Sequence, residues 1–304
     1  MTFTQLRAFV EVVTTGSVHG AADRLMVSQP AVSAALSSLQ QEVGVPLLAR
    51  AGRGLEVTPA GVVFAQRARQ ILRLLDDATV AAKETLDPQR GRVRLAAVTT
   101  AGEHVAPRFL ATFRARYPDA ELSLEVGNRD RVWSLLADRE VDLSIGGRPA
   151  PGVGFVTLAT RPNLLVLVAA GRGTPTVRDI GLDELARQTL LLREPGSGTR
   201  STAEELYDEL GVSPKATLTV GSNGAIRESV QVGLGITLIS RDAVARELED
   251  GALEEWRCPT LPRERAWHLV ARTSDDLPAT ASLLVDHLTS DGFILQGSPL
   301  ERPR

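Results

Sequence analysis

Apolar residues recur at helical spacing from the start of the chain. Leu6, Phe9, Val10 and Val13 fall at i, i+3, i+4 and i+7, one face of a helix that Thr4 can cap. "TTGS" ends this helix at Gly16, and Ser17 can cap a second with the stripe Val18, Ala21, Ala22 and Leu25. Its small residues allow a neighbour to cross closely. The chain turns through "MVSQPAV", where Ser28 reads as the N-cap of a third helix and Pro30 is tolerated in the first turn. Val32, Leu36, Leu39 and Val43 form that helix's stripe. Two short apolar runs, 45–48 and 55–57, then flank a glycine- and arginine-bearing tip, the pattern of a hairpin wing.

Thr58 caps a long helix that has Pro59 at its first position and runs to about Leu86 without a further proline or a glycine after Gly61. Such a helix, roughly 28 residues, spans roughly 42 Å. Its stripe from Val63 to Leu86 is too long for a three-helix domain to bury, so either a partner helix from a second copy or the rest of the chain must cover it. "LDPQRGR" (86–92) interrupts the helix with Pro88 and Gly91 and reads as a hinge.

Beyond it the periodicity alternates. Strand-like runs at 93–98, 122–126, 141–145, 155–159, 164–171, 189–194, 217–222, 235–240 and 265–272 are interleaved with helices near 103–116, 130–138, 199–210, 223–233 and 280–289. This β-α order predicts an α/β region with mainly parallel sheets. The expected organisation is therefore an all-α winged helix-turn-helix over 1–58, a linker or dimerisation helix over 59–87, a hinge over 88–92 and an α/β domain over 93–304.

The polar positions carry the candidate chemistry. The third helix presents Gln29, Ser33, Ser37, Gln40 and Gln41, uncharged donors and acceptors where a solvated face would carry Glu and Lys. Helix-turn-helix geometry would set Ser28, Gln29, Pro30, Ser33 and Ser37 at a major groove, and wing residues Arg50 and Arg53 at phosphates or a minor groove. The alternative is a small helical domain whose polar face is idle. Residues 1–58 hold four arginines (Arg7, Arg24, Arg50, Arg53) against four acids (Glu11, Asp23, Glu42, Glu56). Affinity for double-stranded DNA would thus come from local placement and self-association, not from a basic field.

In open α/β sheets ligands lie beyond the carboxyl ends of the strands. Those ends carry Thr99 and Thr100, Asn128 and Arg129, Gly147 and Arg148, the "REPGSGTR" block with Ser197, Gly198, Thr199 and Arg200, and Ser222 and Asn223. Several precede helices, where amides and the helix dipole favour an anion; Ser, Thr and Asn are equally good helix caps.

Composition removes other classes. The chain has 304 residues and a net charge of −3, with no apolar run long enough for a membrane span. Its first residues lack a signal-peptide pattern, so a cytoplasmic location is expected. One cysteine, Cys258, leaves no internal disulfide, and the four histidines show no metal-ligand spacing. Neither G-x-x-x-x-G-K-[ST] nor G-x-S-x-G occurs, so neither an enzyme nor a resident cofactor is expected.

The segment "FVEVVTTGSVHGAADRLMVSQPAVSAALSSLQQEVGVPLLARAGRGLEVTPAG" resembles the DNA-binding head of the LysR-type transcriptional regulators. The likeness rests on Phe9, Gly16-Ser17, Ala21-Ala22, Leu25, "VSQPAVS" and "TPAG"; many members carry Arg where Ala34 stands. It implies a homodimer, or a dimer of dimers, paired through the long helix. It also implies a two-lobed effector domain like a periplasmic binding protein, with lobe I at 93–162 and 267–304 and lobe II at 163–266. "REPGSGTR" with "GSNGAIRESVQVGLGITLIS" is similar to the branch that regulates carbon-fixation (Calvin-cycle) genes. That likeness implies a small anionic effector, phosphorylated or carboxylated, in the interlobe cleft.

Overall fold

The computed structural model describes residues 1–51, 54–273 and 277–295. It forms two compact units, one built on Met1–Lys83 and the other on the chain beyond.

The first unit holds helices α1 (Phe3–Thr15), α2 (Val18–Leu25) and α3 (Gln29–Val43), a hairpin of β1 (Leu48–Ala51) and β2 (Gly54–Val57), and the long α4 (Pro59–Glu84). Thr2, not Thr4, caps α1. Its hydroxyl accepts from the Gln5 amide while the Gln5 side chain accepts from the Thr2 amide, a reciprocal box that Thr4, already inside the helix, has no way to form. Ser17 and Ser28 cap α2 and α3. Phe9, fully buried, meets Phe64 of α4 edge to face at 5.5 Å and anchors a core of Leu6, Val12, Ala21, Val32, Leu36 and Leu39. Thr58 starts α4 by accepting from the Gly61 amide and donating to the Pro46 carbonyl. A side chain at Gly61 would collide with the Leu47 carbonyl, so glycine is needed where wing and helix meet.

The second unit continues with β3 (Arg92–Val98), α5 (Thr99–His104), α6 (Ala106–Arg116), β4 (Glu121–Gly127), α7 (Arg129–Ala137), β5 (Leu143–Gly146) and β6 (Val156–Ala170). Then come β7 (Val177–Asp179), α8 (Leu182–Ala186), β8 (Thr189–Leu192), α9 (Gly198–Leu210), β9 (Ala216–Thr219), α10 (Asn223–Gln231) and β10 (Thr237–Ser240). Last are α11 (Ala245–Glu249), β11 (Leu253–Arg257), β12 (Arg263–Ala271), α12 (Ala279–Ser290) and β13 (Ile294–Leu295). The main sheet runs β4-β3-β5-β12-β6-β11-β7, with β10 and β13 also on β6.

Two sets of apolar clusters define two lobes. Leu95, Phe109, Phe113, Ile145, Leu269 and Leu284 belong to the first, Leu167, Leu191, Leu206, Ile226 and Leu238 to the second. The β-α units pair in parallel as expected: β3 with β4 and β5, and β8 with β9. The complete sheet is mixed, because β12 runs antiparallel to β5 and β6, and β10 and β11 antiparallel to β6. Antiparallel neighbours need no crossover helix, so strands passing from one core to the other adopt that pairing. The pattern reads β6 as two strands broken near Pro162, whereas the structure has one 15-residue strand. Proline normally marks a strand's edge because it lacks a ladder donor; here Pro162 lies opposite Ala266, at the passage between the cores.

Candidate functional site

In the first unit Ser28, the N-cap of α3, and Gln29, Pro30, Ser33 and Ser37 along the helix are all exposed, while Val32 and Leu36 are buried. Gln40 is different: its Oε1 accepts from the Leu47 and Leu48 amides at 2.9 and 3.0 Å and pins the start of the wing. The Gln29 amide nitrogen lies 2.9 Å from His19 Nδ1, and His19 Nε2 lies 3.4 Å from an Asp23 oxygen. With the Nε2 proton facing Asp23, Nδ1 accepts from Gln29. The second Gln29 N–H and Oε1 remain, the donor-acceptor pair that matches the major-groove edge of adenine. Arg53 lies outside the described residues, and for Arg50 only the backbone is described.

In the second unit the strand ends converge on one cleft of about 380 Å³ between the lobes, a volume suited to a small metabolite. Thr99, Thr100, Asn128, Gly147, Ser197, Gly198 and Thr199 all line it. Asn128 opens α7, its Oδ1 accepting from the Arg131 amide. Thr99 donates to the Gly127 carbonyl, tying the end of β3 to the end of β4. Gly196 adopts φ +87°, the left-handed turn that delivers Ser197 and Gly198 to the start of α9.

Three expected site residues stand apart from this lining. Arg200 faces away: its Nε donates to Glu204 and its Nη1 to the Arg193 carbonyl, so it braces the first turn of α9. Ser222 spends its hydroxyl as the cap of α10, accepting from the Ala225 amide. Asn223 is buried behind the wall, bonded to residues that do line the cleft.

The lining also contains the two strand-end arginines and several residues that no strand-end reading offers. Arg129 and Arg148 stand at its edge, with Arg129 Nη2 donating to the Arg148 carbonyl at 2.8 Å. Neither has a carboxylate partner among the described residues. Arg193 and Arg265 line it too, but each is paired, with Glu194 and Glu205 respectively. Burial pushes the Glu194 carboxyl up, yet the bonds from Arg193 and the backbone hold it below the usual carboxylate range. Trp267 and His268 come from β12, and Asn163 and Leu165 from β6. Reading strand ends finds Arg129 and Arg148. The β12 residues carry no such signal, because β12 reaches the cleft along its length and from far away in the chain.

Residues 3–62 match the model of the bacterial regulatory helix-turn-helix proteins of the lysR family, and residues 86–292 match the LysR substrate binding domain. The HTH-type transcriptional regulator CbbR of Rhodospirillum rubrum is 36% identical over 284 residues, 93% of this chain and 94% of that protein. The full-length structure of CbnR with its target DNA is similar in fold, with a TM-score of 0.72 at 22% identity over 96% of this chain and 100% of that one. The regulatory domain of CcmR from Synechocystis PCC6803, in complex with 2-PG, has a TM-score of 0.60 at 28% identity over 66% of this chain and 97% of that one.

Proposed function

This chain belongs to the LysR family of DNA-binding transcriptional regulators, and on that premise we propose that its effector is a small metabolite bearing a phosphate or carboxylate, held between the lobes by Arg129 and Arg148. The observation that carries the reading is the charge of the cleft. Among the described residues the cleft has four arginines, of which two are neutralised by adjacent glutamates and two are not, so the wall formed by the ends of β4 and β5 is cationic. Around that charge stand the hydroxyls of Thr99, Ser197 and Thr199 and the first turns of α7 and α9, whose amides suit an anionic oxygen. Trp267 and Leu165 supply an apolar surface for the remainder of the ligand. The likeness to a regulatory domain in complex with 2-PG supports a small organic anion.

On the DNA side, Ser28, Gln29, Pro30, Ser33 and Ser37 form the surface offered to base edges, and Arg50 and Arg53, whose side chains lie outside what the structure describes, are assigned to the phosphate backbone. The chain acts as a homodimer or a dimer of dimers, and the effector changes the placement of the DNA-binding heads.

Calorimetric titration with 2-PG and a panel of phosphorylated and carboxylated metabolites tests the effector reading. Arg129→Ala and Arg148→Ala should each weaken the best ligand by about 10- to 100-fold, the range for losing one charge-assisted hydrogen bond. Uncharged analogues of that ligand should not bind. Unchanged affinity in both variants would sink the assignment.

A further inference from the structure

Asn223 opens α10 in the second lobe, is 1% exposed and does not line the cleft. Its side chain nevertheless joins two residues that do. Oδ1 accepts from Arg193 Nη1, and Nδ2 donates to Thr100 Oγ1 at 3.0 Å and to Glu103 Oε2 at 3.3 Å. A guanidinium only donates, so the amide has one satisfactory orientation: oxygen toward Arg193, nitrogen toward α5. Glu194 takes two further Arg193 donors, Nε and Nη2, at 2.8 Å each, so three of the five N–H groups hold the guanidinium in place.

Two consequences follow. Arg193 and Asn223 belong to the second lobe, whereas Thr100 and Glu103 sit on α5, whose Ala101 is packed in the first lobe's core. The chain Glu194–Arg193–Asn223–Thr100 therefore crosses from lobe to lobe behind the cleft. The Thr100 hydroxyl, accepting from Asn223, also keeps its own hydrogen, and no acceptor takes it among the described residues. That hydrogen is a donor available to a ligand oxygen in the cleft that Thr100 lines.

We propose that Asn223 is a positioning residue that never touches the effector. It fixes the Thr100 hydroxyl as a donor to an acceptor oxygen of the ligand and ties the second lobe to α5. An oxyanion accepting from Thr100 polarises the hydroxyl and strengthens its bond from Asn223, since linked hydrogen bonds reinforce one another. Ligand binding and lobe closure then share a single equilibrium, and the ligand shifts it by its differential affinity for the closed state. The ligand half of this proposal rests on the anionic reading above; the tie between the lobes does not.

The decisive variant is Asn223→Asp. It preserves the acceptor for Arg193, replaces the donor to Thr100 and Glu103 by a carboxylate that Glu103 repels, and lets any remaining Thr100 bond form only with the hydroxyl as donor, which takes that hydrogen away from a ligand. Hydrogen exchange on the effector-free full-length protein should show faster exchange in α5 by about 10-fold, within the usual range of coupling between sites, with protection of Leu206 and neighbouring α9 residues kept. Thr100→Val should reproduce the effect and Thr100→Ser should restore wild-type protection. A side chain that merely packs α10 would loosen α10 alone. Wild-type α5 protection in both Asn223→Asp and Thr100→Val overturns the proposal. If Asn223→Asp loses protection throughout, the Thr100→Val and Thr100→Ser pair decides it. In a second arm, Asn223→Asp should weaken 2-PG about 10-fold by calorimetry, and unchanged affinity overturns the ligand half. Should the wild type bind neither 2-PG nor any anion of the panel, the effector reading falls, and the exchange data judge the tie by themselves.

Discussion

Gln29 shows how a single side chain acquires direction. An exposed glutamine samples many rotamers, and ordering it costs roughly 1.5–2 kcal/mol. Its bond to His19, itself placed against Asp23, removes part of that freedom before DNA arrives. Gln29→Ala should therefore relax base preference at a single position of the operator and lower specific affinity by about 1–3 kcal/mol, the worth of one good bidentate base contact. Competition binding against operators altered one base pair at a time would measure this; equal loss on every sequence would instead assign Gln29 to backbone contacts. The cleft follows the same residue-level logic. Thr99, Asn128 and Ser197 are legible as site candidates because they close strands and open helices, while Arg200 shares their sequence context and turns away. Its Nε finds Glu204 one turn along the same helix, and no spacing rule tells a helix-bracing arginine from a ligand-binding one.

Elements are held in register by a few buried polar contacts as much as by the apolar stripes. Arg94 on β3 and Asp142 ahead of β5 are almost fully buried, joined through the guanidinium and through the Arg94 amide to Asp142 Oδ2 at 2.8 Å. Together they align the parallel pair whose ends carry Thr99, Gly147 and Arg148. Removing one partner leaves a charge buried without compensation, so Asp142→Ala should lower stability by about 3–5 kcal/mol, whereas the double replacement Arg94→Met with Asp142→Leu should recover most of the loss. Chemical denaturation of the three proteins is the check, and a double variant as unstable as the single one would contradict the account. Helix existence is plain in the periodicity here, because the apolar stripes are long and the caps Ser17, Ser28 and Thr58 are local signals. The full length of β6 is not, because Pro162 looks like a break until its neighbour across the sheet, Ala266, is known. The short β7 and β11 escape notice for a similar reason: their pairing partners lie far off in the chain.

For the whole molecule the telling feature is what α4 leaves uncovered. Val62, Val63, Ile71 and Leu74 remain between 43% and 64% exposed on this helix, although α4 contributes Ala65 and Ala68 to the core of its own unit. A second copy is the natural cover, in keeping with a family that binds DNA as oligomers. Replacing Ile71 and Leu74 together with Glu should shift sedimentation from dimer toward monomer and cut operator affinity by 10-fold or more, since two linked heads bind far more tightly than one. A variant that stays dimeric would place the interface elsewhere. The sequence by itself determined the helical head, its caps, the long helix, the β-α order of the remainder and the strand ends at which a ligand would lie. These rest on contacts between near neighbours in the chain, where spacing alone specifies which residues share a face. Only the tertiary structure decided that, among the described residues, Arg129 and Arg148 are left without carboxylates while Arg193 and Arg265 are paired, and that Asn223 stands behind the cleft wall between Arg193 and Thr100. Thr100 and Asn223 are 123 positions apart, and only the folding of both lobes onto β6 and β12 brings them within hydrogen-bonding distance.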